Sequence, residues 1–132
     1  MDPVDVSFVY ANSLPAETAS VGTLRRGLSH ALQPLEIGAE RSADIVLVVS
    51  EALTNASVHA YVGMPLGPVA LTAAVSSGSL RVTVTDEGRG MLPRTDSPGL
   101  GLGLGLIARL TDALEISSPD GRGTEISVSF VL

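Results

Sequence analysis

The sequence predicts an α+β fold, a two-layer sandwich with helices on one face of a mixed, mainly antiparallel sheet. Three observations carry that expectation. Runs with strand and helix periodicity follow one another in the order β-α-α-β-β-α-β-β. The chain has 132 residues, of which 45% are hydrophobic, which suits a single domain over 1–132 with a real core. No apolar run reaches the roughly 18 residues needed to cross a bilayer.

Each element has its own signal. Residues 4–10 alternate apolar and polar and read as a first strand. Asn12, Ser13, Leu14 and Pro15 read as a turn and helix start. Over 16–32, Ala19, Leu24, Leu28, Ala31 and Leu32 recur at helical spacing, and Pro34 stops that helix. A second helix is expected from about Ser42 to His59, with an apolar stripe of Ile45, Val49, Ala52, Leu53 and Ala56. Gly63, Pro65, Gly67 and Pro68 make a loop. The β-rich runs 69–75 and 80–85 flank Ser76, Ser77, Gly78 and Ser79, a hairpin with a loop of about four residues. Residues 91–98 hold two prolines and no periodicity, so they read as a loop. A third helix is expected over 103–113, a short strand over 114–118, a tight turn over 119–123 and a last strand over 124–131. There is no internal repeat or low-complexity stretch.

Composition narrows the chemistry. The formal charge is -6 and the aromatics are two Phe and two Tyr, a poor match to nucleic acid, which attracts basic stripes and stacking platforms. An anionic membrane surface is equally unsuitable. All eight basic residues are arginine. A P-loop, a eukaryotic-type protein kinase site and Schiff-base chemistry each need a lysine, so none of them can be built from these residues. Asp2 and Asp5 lie in a first segment without basic residues, unlike a secretory signal, and there is no cysteine. A cytoplasmic location is expected.

Glu51 and Asn55 lie four apart on the second helix, and His59 extends the row by another turn. Such a row can simply face water. On a helix apolar around most of its circumference it must instead be paired or liganded. An Asn oxygen is a suitable hard ligand for magnesium completed by phosphates and water, and a nearby Glu can position or deprotonate an attacking oxygen. Asp86, Gly88 and Gly90 form an Asp-x-Gly-x-Gly pattern at a strand end. It reads as a tight turn, or as a fixed carboxylate able to accept an amino proton such as that of adenine. Residues 99–105 alternate glycine and leucine and lead into a helix, a hinge or a phosphate-facing backbone. Gly103, Gly105 and Ala108 have the spacing of a dinucleotide fingerprint, but no strand immediately precedes them. Eight of the 14 glycines fall between Gly88 and Gly123, as a ligand-facing loop system requires. Thr124 ends a hairpin turn and can offer a hydroxyl. His30 reads as structural.

In combination, Glu51-x-x-x-Asn55-x-x-x-His59-Ala60-Tyr61, Asp86-x-Gly88-x-Gly90, the glycines of 99–105, and Gly123-Thr124 resemble the GHKL ATPase superfamily of gyrase, the ninety-kilodalton heat-shock chaperone and histidine kinases. The resemblance covers nearly the whole chain and is strongest to the compact bacterial anti-sigma factors that are serine/threonine kinases. It implies a GHKL ATPase-like fold, ATP and Mg2+ as cofactors, and an anti-sigma antagonist and a sigma factor as partners, with a homodimer as the assembly. It makes Glu51 the general base and Asn55 the magnesium ligand, with His59 at the nucleotide site. Asp86 takes the adenine amine with Thr124 helping through water, Gly88 and Gly90 shape the base pocket, and Gly101, Gly103 and Gly105 meet the phosphates. Residues 91–99 become the lid over ATP. Two departures stand out: the lid is short, and Gly99 occupies the position where the compact kinases tend to carry an arginine. Arg94 is the lid's own basic residue and Arg109 a second substitute. The expected activity is phosphorylation of a serine on the antagonist. The alternative is a nucleotide-gated binding module without turnover. No phosphoacceptor histidine box or dimerising hairpin accompanies these motifs, so an autonomous sensor kinase is not expected.

Overall fold

The structure, a computed structural model, describes residues 6–90, 103–118 and 122–132. Its elements run β1 (Val6–Pro15), α1 (Thr18–Leu32), a 3-10 turn (Gln33–Leu35), α2 (Ala39–His59), β2 (Pro68–Ser76), β3 (Ser79–Asp86), α3 (Leu104–Leu110), β4 (Ala113–Ser117) and β5 (Thr124–Val131). The order of strands and helices is the expected one. The five strands form one sheet in the order β1-β2-β3-β5-β4. Among the described residues every pairing is antiparallel, so the sheet is purely antiparallel rather than mixed.

Alternation decides which face is covered. Leu71 and Ala73 on β2, Leu80, Val82 and Val84 on β3, and Ile126, Val128 and Phe130 on β5 are buried. Their neighbours Thr72, Arg81, Thr83 and Ser129 point to the opposite, open face. Against the apolar face lie Leu24, Leu28 and Leu32 of α1, Ile45, Val49 and Leu53 of α2, and Ile107 of α3. Helix α1 packs on β1 and α2, and α2 packs on β2, β3 and α3. Burying each such aliphatic side chain contributes about 1.5–3 kcal/mol, so α2 is held by its stripe rather than by propensity.

Several boundaries differ from the expected ones, each for a tertiary reason. The segment expected to turn, Asn12 to Pro15, continues β1, with Asn12 opposite Leu71 and Pro15 opposite Pro68. Pro15 is tolerated because β1 is an edge strand and the missing N–H falls at its end. The loop after β2 is tighter than four residues: Ser76 pairs with Ser79, and Ser77 (φ 52°) and Gly78 (φ 77°) make a two-residue turn with both central φ values positive. Helix α2 begins one turn early, because Gly38 accepts from the Ser42 amide (2.9 Å) and Glu40 suits the positive end of the helix. Helix α3 stops at Leu110, since Thr111 is extended and the Asp112 amide donates to Ser129 O (2.9 Å) across the sheet edge. The carboxylate of Asp112 then takes the Val131 amide (2.7 Å) and pairs with Arg41 at the start of α2.

Candidate functional site

Helix α2 is the floor of the site. Ala52, Leu53 and Ala56 are buried on its core side, and Asn55 is only 5% exposed, while Glu51 and His59 are half-buried. The row therefore does not simply face water. Asn55 has a polar partner, and among the described residues no buried side-chain nitrogen or oxygen lacks a hydrogen bond.

At the end of β3, Asp86 is 8% exposed. Its Oδ1 accepts the Gly88 amide at 2.9 Å, and the Thr124 amide also donates to its carboxylate. The bond two residues on is an Asx turn, as the turn signal in the sequence leads one to expect. Burial pushes the Asp86 carboxyl above the ordinary carboxylate range, and the two amide bonds partly oppose that. An ionised carboxylate offers about four acceptor positions. Two amides leave capacity for a donor from outside.

Close backbone approaches lock this turn to α2. A Cβ placed on Gly88 would lie 2.1 Å from the Ala60 carbonyl oxygen. The Arg89 amide donates to that same oxygen (2.8 Å), and its Nε donates to His59 O (3.1 Å), placing a cation on the negative end of the helix. On the other side, the Gly123 amide donates to Gly88 O (2.7 Å). Gly123 has φ 70°, and a Cβ there would fall 2.5 Å from Asp86 O. Thr124, 5% exposed, is the register partner of Asp86.

One turn and more toward the helix N-terminus, Gly103 (φ 74°) abuts Glu51: its Cβ would stand 2.5 Å from Glu51 Oε2. Gly90 also has positive φ (80°). Gly105 is exposed, and a Cβ there would meet nothing within 4 Å, so its lack of a side chain is not demanded by packing. Arg109 lies exposed in the last turn of α3. Arg94, Gly99, Gly101 and the expected lid over 91–99 lie outside the described residues.

The structure thus joins Asp86, Gly88 and Thr124 to one end of an α2 segment and Gly103 to Glu51 at the other. Glu51 and Ala60 are nine positions apart, about 14 Å along the helix axis. The donor set fits magnesium in one way. The buried side-chain oxygen of Asn55 is a hard donor of the kind magnesium takes alongside phosphates and water, and among the described residues no group of three His, Cys, Asp or Glu could hold an ion. Sequence reasoning gave no role to Tyr61, Arg89 or Gly123. Tyr61 and Gly123 stand within the motifs that carry the resemblance, but helical spacing stops before Tyr61 and the turn at Gly123 gave it no contact of its own.

The comparisons agree with this geometry. The histidine kinase-like ATPase domain profile matches residues 14–130. An anti-sigma F factor of Thermoanaerobacter sp. is 32% identical over 101 residues, covering 68% of this chain and 70% of that protein. Blue-light-activated histidine kinase 2 of Erythrobacter litoralis is 38% identical over 103 residues, covering 74% of this chain, which spans only 30% of the kinase. A crystal structure of RsbU and RsbW domains from Mycobacterium tuberculosis superposes with TM-score 0.73 and 25% identity over 97% of this chain and 32% of that one. The chain belongs to the histidine kinase-like ATPase family, in the compact anti-sigma kinase-like branch of the GHKL superfamily.

Proposed function

We propose that the chain binds ATP with magnesium and acts as a serine/threonine kinase of an anti-sigma antagonist, restraining a sigma factor in turn. The observation that supports this best is the buried Asp86 carboxylate, held by two backbone amides with acceptor capacity to spare and tied to the helix that carries Glu51 and Asn55. Asp86 would accept the adenine amine, with Thr124 beside it. Gly88 and Gly90 would admit the base, and His59 would border the nucleotide. Asn55 would hold magnesium, which neutralises phosphate charge. Gly101, Gly103 and Gly105 would face the phosphates, and Arg94 the terminal one. Glu51 would take the proton of the attacking serine hydroxyl or water. The name anti-sigma F factor carried by relatives supports the choice of partners. No helix among the described residues is long and apolar enough to cross a membrane. A cytoplasmic location and a homodimer belong to the same reading.

The test is γ-labelled ATP, magnesium and an antagonist protein. Label should move to a serine of the antagonist. Glu51→Ala should abolish transfer and leave nucleotide affinity within a few fold, because Glu51 acts on the proton rather than on the base. Equal loss of both would remove Glu51 from the general-base role. One observation favours a second reading, nucleotide-gated binding without turnover: Gly99 occupies the position where related kinases tend to carry an arginine. Partner binding that responds to ATP, with no phosphate transferred or released, would select it.

A further inference from the structure

We propose that Tyr61 is a positioning residue for the Asp86 turn, its hydroxyl bridging Pro68 and Glu87 so that the carboxylate is aimed to discriminate adenine from guanine. The inference rests on the adenine role of Asp86 proposed above. It starts from the ladder between β2 and β3, whose last rung is Val69 opposite Asp86. The next rung would pair Pro68 with Glu87. Instead, the Tyr61 hydroxyl occupies that place: it donates to Pro68 O (2.5 Å) and accepts the Glu87 amide (2.9 Å). One phenol oxygen has a single proton to donate, and here it is spent on the carbonyl while a lone pair takes the amide.

The bridge has a structural consequence. The Asp86–Glu87 peptide is tied to a side chain that follows the end of α2. The following peptide is already fixed, since the Gly88 amide returns to Asp86 Oδ1 and the Arg89 amide reaches Ala60 O. Asp86 is therefore oriented from both sides. Gly67 makes room for the ring: a Cβ there would lie 2.5 Å from Tyr61 Cε1. Burial raises the phenol's pKa above its ordinary value, and the charges of Asp86 and Glu87 add to that against the opposing Glu87 amide bond, so the hydroxyl keeps its proton at neutral pH. Adenine offers an amine donor where guanine has a carbonyl acceptor, so a fixed carboxylate accepts from the first and repels the second. A loosened turn lets the carboxylate swing away from either.

The experiment compares ATP and GTP dissociation constants for the wild type, Tyr61→Phe and Asp86→Asn, with circular-dichroism melts to confirm folding. Tyr61→Phe should lower the ATP-over-GTP preference about tenfold, the factor carried by one lost hydrogen bond, mainly by weakening ATP. Asp86→Asn should collapse the preference further. If Asp86→Asn collapses it and Tyr61→Phe leaves it unchanged, the positioning role is overturned and the adenine reading stands. If Asp86→Asn leaves it unchanged, the adenine reading falls and takes this inference with it. A measurement on the wild type alone guards against a variant that does not fold. The Glu87 amide should be protected from hydrogen exchange, and rapid exchange there would overturn the bridge.

Discussion

The two ends of the α2 row are built differently. At the Asp86 end, the amides of Glu87, Arg89, Gly123 and Thr124 and one phenol tie the turn after β3 to the end of α2, to β5 and to the start of β2. At the Glu51 end, the described contact is a single close approach by Gly103. Backbone hydrogen bonds hold a recognition group in one orientation. A steric fit at one glycine sets a distance and leaves orientation to what binds there. On the proposed roles, the group that would meet the base is thus fixed by main-chain hydrogen bonds among the described residues.

Glycine substitutions should break this comparison most sharply. Gly88→Ala drives a Cβ against a main-chain oxygen of α2, so the turn or the helix end must move. We expect a loss of about 2–4 kcal/mol in denaturant unfolding together with loss of ATP binding. Gly105→Ala meets open space on a helix and should gain about 0.5–1 kcal/mol. Any fall in its ATP affinity would then report a ligand at that backbone. Equal destabilisation by the two would end the contrast.

Asp86 sharpens the comparison through pH. Its folded-state pKa is raised by burial, so the ligand-free fold gains stability from this group as pH falls through that raised pKa, and loses it as pH rises. With Asp86 as the proposed acceptor of the adenine amine, ATP binding uses the ionised form and should weaken as pH falls through that raised value, by up to about tenfold per pH unit. Asp86→Asn should flatten both profiles. Matching slopes in the wild type and the variant would show that another group titrates.

The smallest effect is expected far from the site. Asp112 is held below the ordinary carboxylate range, first by the Val131 amide and then by Arg41, with its modest burial opposing. Its contribution to stability is present above its unfolded pKa and disappears as pH falls through the depressed folded value. Asp112→Asn should lower Tm slightly at neutral pH, the difference vanishing in acid, with ATP affinity unchanged. A change in affinity would mean that the α3 end and the base pocket are coupled.

Periodicity made the architecture legible. The stripe of Ile45, Val49 and Leu53 and the alternation along 80–85 put helices over one sheet face, and the order of Asn55, Asp86 and the glycines pointed to one site. Turn chemistry was less legible. Asn12 and Pro15 carry turn signals, yet pairing with β2 keeps them extended, because an edge strand can absorb a proline. The end of α3 was invisible for a similar reason, since Asp112 finds its partners 19 and 71 residues away.

The amino-acid sequence by itself determined the α+β order, the family and the chemical types available: two carboxylates and an amide at motif positions, and no lysine. Those depend on residue identity and local period. Only the tertiary structure decided that Asp86 is buried and raised in pKa, that Gly88 and Gly123 are glycines because main chain lies against them, and that Tyr61 completes the turn. Each of these is a contact between segments distant in the chain, and local periodicity carries no record of which segments meet.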